Sequence, residues 1–187
     1  MVFKDNWEFR NTADTNWLKA QVPGTVHSDL LNNDKNKDPY FRLNERELQW
    51  IDKADWEYRT TFELSEEEME RDHLALTFKG LDTYAAIYLN DTLLLQTDNM
   101  FRTYKIPVKQ KVSAGQNRLR IVLASPIKKG IEKYDKVPYT IPVSDNDLAE
   151  LGEVPENKKV SVYTRKAGYH FGWDWGPRLV TSGIWRP

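Results

Sequence analysis

Trp56-Glu57-Tyr58-Arg59-Thr60-Thr61-Phe62-Glu63-Leu64 places Trp, Tyr, Thr, Phe and Leu at the even positions, with Glu57, Arg59 and Glu63 between them. Successive side chains of a β-strand point to opposite faces, so this period-two alternation predicts a strand with one face in a core and the other in water. The pattern continues outward from there. Leu74, Leu76 and Phe78 repeat it before Lys79-Gly80-Leu81-Asp82, Thr83 to Leu89 reads as a second strand rich in Tyr, Ala and Ile, and the two are expected to share a sheet. Asn90-Asp91 separates that strand from Thr92-Leu93-Leu94-Leu95, the short polar interruption of a hairpin turn. Further strands are predicted at Phe101 to Val108 and at Arg118 to Ala124, the latter with Leu119, Ile121 and Leu123 on one face.

Helical signals are few: Val26 to Asn32 after Pro23-Gly24-Thr25, Asn44 to Gln49, and Pro126 to Tyr134. Short strands punctuated by turn residues, with helices only as short inserts, predict an all-β, antiparallel β-sandwich and not alternating β-α units. The charged segment Asp135 to Lys159, with Pro138, Pro142 and Pro155, is too long for a simple turn, and long loops on β scaffolds often carry function. Ser182-Gly183-Ile184-Trp185-Arg186-Pro187 reads as the opening of another strand. Residues 1–187 are therefore expected to be one domain cut from a longer polypeptide, with its closing strand truncated near 187.

With 27 Lys and Arg against 28 Asp and Glu, the net charge of −1 provides no field to attract nucleic acid or anionic lipid. No apolar run approaches the ~18 residues of a membrane span, and Met1-Val2-Phe3-Lys4-Asp5-Asn6 lacks the apolar stretch of a signal peptide. The compartment stays open: periplasmic, secreted or lysosomal if a leader has been removed, or cytoplasmic. The chain has no cysteine, and His27, His73 and His170 lack the spacing of helical metal ligands, so neither disulfide nor metal site is expected. Aromatics make up 12% of a chain with mean hydropathy −0.70. A sandwich core accounts for them most simply; a carbohydrate-contacting surface is the sharper reading.

No catalytic machinery is visible. Glycosidases use two carboxylic acids about 5–10 Å apart, but Glu66, Glu67, Glu68 and Glu70, like Glu150, Glu153 and Glu156, read as solvated. Nor does any serine sit in a Gly-x-Ser-x-Gly elbow. Asn90-Asp91-Thr92 is a formal glycosylation acceptor that the hairpin turn already explains, and Asp82 reads as a turn carboxylate before it reads as part of a site. Tyr169 to Arg178 differs in kind: Tyr169, Phe171, Trp173 and Trp175 alternate with His170, Gly172, Asp174 and Gly176 before Pro177. On an extended backbone all four rings share one side and Asp174 the other, which fits a core strand with one outward acid. The two glycines also permit a tight non-strand path. Two indoles around one carboxylate suit a pyranose, whose C–H face packs on an indole while adjacent hydroxyls donate to the carboxylate.

The run Arg165-Lys166-Ala167, Tyr169-His170-Phe171-Gly172-Trp173-Asp174-Trp175-Gly176-Pro177 and Ser182-Gly183-Ile184-Trp185-Arg186-Pro187 resembles the signature that closes the N-terminal domain of family 2 β-mannosidases. Val22-Pro23-Gly24-Thr25-Val26-His27 and Phe78-Lys79-Gly80-Leu81-Asp82-Thr83 resemble that family's earlier motifs, while Asn99-Met100-Phe101 and Gly115-Gln116-Asn117 are shared more widely among galactosidases and glucuronidases. The resemblance implies a jelly-roll, galactose-binding-domain-like sandwich packed on later domains, with no cofactor and with both catalytic glutamates on a TIM barrel outside this chain. It implies that Asp174 reaches a terminal β-mannose of a glycan at the −1 subsite, that Trp173 and Trp175 shape that wall, and that His170 and Arg178 support it. The alternatives are another family 2 exo-glycosidase (β-galactosidase, β-glucuronidase or exo-glucosaminidase) and a non-catalytic carbohydrate-binding module.

Overall fold

A computed structural model describes residues 3–186. Its elements in chain order are β1 (Trp7–Asn11), β2 (Leu18–Ala20), α1 (Val26–Asn32), α2 (Asn44–Glu47), β3 (Trp56–Leu64), α3 (Glu66–Met69), β4 (Ala75–Phe78), β5 (Gly80–Asp82), β6 (Tyr84–Leu89), β7 (Thr92–Gln96), β8 (Tyr104–Pro107), β9 (Gly115–Ala124), α4 (Pro126–Tyr134) and β10 (Gly183–Arg186). A six-stranded sheet has the order β2-β1-β3-β9-β6-β7, and two two-stranded sheets, β4-β8 and β5-β10, complete the sandwich. All these strand pairs are antiparallel.

The alternation in β3 does what its period requires. Trp56, Tyr58, Thr60 and Phe62 are buried and join Phe9, Ile87, Leu119, Ile121 and Leu123 in the main core, which Leu76, Phe78, Leu81 and Ile184 cover from the two small sheets. Strands β3 and β6 share the large sheet with β9 between them, whereas β4, the Leu76–Phe78 segment, pairs with β8 in a separate sheet. One outward residue of β3 departs from the expected solvation. Glu57 is only 4% exposed, because Arg10 at 2.7 Å and Arg120 at 2.9 Å close over it from β1 and β9. Its charge is desolvated but doubly paired, which a buried carboxylate requires.

The Asn90-Asp91 hairpin has positive φ at both residues, 48° and 64°, which a tight two-residue turn between twisted strands requires. Asn90 Nδ2 also donates to Asn117 Oδ1 at 2.8 Å and to Lys111 O at 3.1 Å, so its amide has a structural task. Helix α1 begins at a capping box in which Thr25 and Ser28 exchange hydrogen bonds. Ser125 caps α4 ahead of Pro126 at its first position. No helix among the described residues is long and apolar enough to cross a membrane.

Between α4 and β10 the chain builds a second, smaller core. Ala149, Val154 and Val160 pack with Ile127 of α4 and with Phe171 and Val180. The later part of the long segment, from Asp147 to Val154, thus forms a platform that packs with Phe171.

Candidate functional site

The segment from Thr164 to Thr181 is held at several points before it reaches its exposed turn. Asn99 forms a parallel bridge to Arg165, Met100 N donates to Arg165 O at 3.1 Å, and Ala167 N contacts Met100 Sδ at 3.2 Å. A one-turn 3-10 helix, Gly168–Phe171, follows and buries Phe171 completely in the second core. Leu148 N donates to Phe171 O at 2.9 Å, tying this turn to the platform.

The extended strand with four rings on one side is not what forms. Gly172 has φ 130°, and a Cβ there would lie 2.5 Å from Asn146 O, so a side chain is excluded both by the dihedral and by the close approach. The chain then doubles back through a tight turn closed by an antiparallel bridge between Trp173 and Gly176. Asp174 and Trp175 form the tip. Trp173 is 40% exposed, Trp175 is 72% exposed, and Asp174 is exposed between them. Tyr169 lies against this group, its ring centroid 6.1 Å from Trp175 and 4.7 Å, edge-on, from His170. The rings therefore divide: Phe171 anchors, while Tyr169, Trp173 and Trp175 face outward around one carboxylate. Among the described residues, Trp173, Asp174 and Trp175 all lie exposed on this one turn.

Under the turn lies a buried polar cluster. Asp82 is not a turn carboxylate: it ends β5, is fully buried, and pairs through Oδ2 with the equally buried ammonium of Lys166. Thr83 donates to Asp82 Oδ1. Thr181 Oγ1 lies 2.8 Å from Asp82 Oδ2, 3.0 Å from Lys166 Nζ and 3.2 Å from His170 Nδ1. His27, buried on α1, leaves Nδ1 without a partner among the described residues. The roles of Asp82, Lys166 and Thr181 could not be read from local sequence, because the residues that meet here lie 84 and 99 positions apart.

Arg178 is also buried, and it does not face the turn's ligand side. Its Nη1 pairs with Asp52 Oδ2 at 2.6 Å and with Gln49 Oε1, its backbone N donates to Glu45 Oε1 at 2.6 Å, and its carbonyl accepts from Gln49 Nε2 at 3.0 Å. Arg178 thereby fastens the outgoing leg of the turn to α2 and the segment after it.

Burial first, then the Lys166 charge, lowers the pKa of His27 to about 3 and of His170 to about 4, against an unfolded value of 6.5. The unfolded chain therefore binds more protons below pH 6.5, so the stability held by these two neutral rings is lost as pH falls from 6.5 through 4 to 3. Asp29 acts oppositely: burial raises it from 3.8 to about 6, against the hydrogen bonds from Tyr58 and Gln21, so it gains stability as pH falls through that interval. Burial raises Asp52 in the same sense, against the pull of Arg178. The histidines together lose about 2.7 kcal/mol between pH 7.5 and 5.5 and Asp29 returns about 0.8, so these three groups leave a net loss of about 2 kcal/mol, which Asp52 offsets further in the same direction as Asp29. Urea midpoints at the two pH values measure it; equal midpoints would contradict the buried neutral state of both rings.

Taken together, the antiparallel jelly-roll layers and the site carried on their connecting segments define a galactose-binding-like β-sandwich. The chain belongs to the glycosyl hydrolase 2 galactose-binding domain-like family, whose model matches residues 7–186. It is 37% identical over 186 residues to the β-mannosidase B of Aspergillus terreus (strain NIH 2624 / FGSC A1156), which covers 96% of this chain and 21% of that relative. It is 35% identical over 184 residues to the β-mannosidase of Capra hircus, covering 98% and 20%. The crystal structure of a β-D-mannosidase from Dictyoglomus thermophilum superposes with TM-score 0.90 at 41% identity, over 98% of this chain and 21% of that one. An exo-chitosanase from Amycolatopsis orientalis matches at TM-score 0.57 and 18% identity over 63% of this chain and 16% of its own, a likeness of fold alone. The chain spans about a fifth of the length of the relatives it matches.

Proposed function

We propose that this chain is the N-terminal domain of a retaining exo-β-mannosidase that removes terminal non-reducing β-D-mannose, and that it supplies one wall of the −1 subsite. The observation that carries this reading is the exposed carboxylate of Asp174 between two exposed indoles, Trp173 and Trp175, on a fold that matches a β-D-mannosidase at TM-score 0.90. An ionised carboxylate only accepts, so two neighbouring sugar hydroxyls can both donate to it. The indoles offer apolar faces for the pyranose C–H groups and exclude water from the same contact. The acid/base and nucleophile glutamates of double displacement belong to a barrel elsewhere in the polypeptide, on which this domain packs. No cofactor enters this scheme.

In the full-length enzyme, Asp174→Ala is expected to lower kcat/KM for 4-nitrophenyl β-D-mannoside at least tenfold, about 1.4 kcal/mol of transition-state stabilisation. The melting temperature should stay put, since Asp174 is exposed. Near-normal kinetics would remove Asp174 from the site. Parallel assays with the β-galactoside and β-glucosaminide test the choice of sugar.

A further inference from the structure

We infer that His170 is a second hydrogen-bonding residue of the same wall, presenting Nε2 to the sugar as a fixed acceptor. This rests on the reading that the Trp173–Gly176 turn faces the sugar. The argument comes from the valence of one hydroxyl. Thr181 Oγ1 has one hydrogen to give and can accept two. Asp82 Oδ2, at 2.8 Å, is an acceptor and takes that hydrogen; Asp82 Oδ1 already accepts from Thr83. The Lys166 ammonium, at 3.0 Å, only donates and occupies one lone pair of the hydroxyl. The remaining contact, from His170 Nδ1 at 3.2 Å, must therefore be a donation from the ring to Thr181.

A neutral imidazole with its hydrogen on Nδ1 has a bare lone pair on Nε2. The opposite tautomer would set two lone pairs against each other inside a buried cluster, so the hydrogen is not free to move. Burial and the nearby Lys166 charge keep the ring neutral, which agrees with this assignment. Nε2 makes no hydrogen bond among the described residues, and the ring stands edge-on to Tyr169, which in turn contacts Trp175. The wall would thus offer acceptors in two chemical forms, the Asp174 carboxylate and an uncharged ring nitrogen. The matching ligand feature is a sugar hydroxyl acting as donor. Lys166, Asp82 and Thr181 are positioning residues that hold this state without touching the ligand.

The test uses the full-length enzyme with 4-nitrophenyl β-D-mannoside and its 3-, 4- and 6-deoxy analogues. His170→Asn keeps a donor toward Thr181 but has nothing at the place of Nε2, whereas His170→Gln restores an acceptor there. The Asn variant should lose about tenfold in kcat/KM on the parent mannoside, and one deoxy analogue should lose most of the penalty it suffers in the wild type. The Gln variant should recover at least threefold over Asn. An Asn variant that keeps the wild-type penalty for every deoxy sugar, or a Gln variant no better than Asn, overturns the proposal. A neutron structure of the wild-type protein decides the tautomer without any substitution: deuterium on Nδ1 is expected, and deuterium on Nε2 overturns it. The reading of the sugar fails separately, if the wild type prefers the galactoside or glucosaminide; deoxy analogues of that sugar then decide His170.

Discussion

Lys166→Met is expected to destabilise the fold by about 3–5 kcal/mol, the usual cost of stranding one member of a buried ion pair. Lys166 and Asp82 have side-chain exposures of 0% and 1%, so removal of the ammonium leaves a carboxylate that water cannot reach. Only the hydroxyls of Thr83 and Thr181 would still donate to it, and both are neutral. Burial already pulls the Lys166 pKa down while Asp82 pushes it back, the signature of a charge kept in place by its partner. The double variant Lys166→Met with Asp82→Leu separates the pair from its desolvation. Because neither charge then remains, it should recover at least half of the loss, although Thr83 and Thr181 are left short of a partner. Urea melts of wild type, both single variants and the double close the cycle, with equal m-values required for the comparison. A single-variant loss below about 1 kcal/mol would contradict the cost expected for stranding one member of this buried pair.

How much of this was legible in the sequence depends on the range of the interactions involved. Trp56–Leu64, Val26–Asn32 and Pro126–Tyr134 form the elements their local patterns predict, because period, cap and proline act within a few residues. Strands β1 and β2 gave no comparable signal: β1 buries only Trp7 and Phe9, and β2 is three residues long. The Trp173-Asp174-Trp175 group was legible as a unit, since residue types alone suggest an aromatic-flanked carboxylate. Its path was not, because an extended backbone fits the alternation until the φ of Gly172 and the carbonyl of Asn146 intervene. Asp82 beside Gly80 looks like a turn residue until Lys166 arrives from another part of the chain. Glu57 looks like a solvated outward acid until Arg10 and Arg120 flank it in the sheet. In the last two cases a long-range charge partner overrode a sound local expectation.

Arg178→Met is expected to destabilise the fold by about 3 kcal/mol, at the lower end of the range for a broken buried pair. The reasoning for the lower end lies in the guanidinium itself. Among the described residues Nε and Nη2 have no hydrogen-bond partner and Asp52 Oδ1 has none either, so within them the pair has part of its polarity unanswered. Methionine removes those two stranded N–H groups along with the bond to Asp52, which offsets some of the loss. It also frees Gln49 Oε1, and it opens space above Gly152, where a Cβ would overlap the guanidinium. The backbone bonds of residue 178 to Glu45 and Gln49 do not depend on its side chain and should persist. The leg of the turn should therefore keep its path, and the folded fraction its KM, while the urea midpoint falls. Asp174→Ala should do the reverse, lowering kcat/KM with the midpoint unchanged. A raised KM in the folded Arg178→Met enzyme would mean that the buried guanidinium, and not the backbone bonds of residue 178 alone, holds the turn in place.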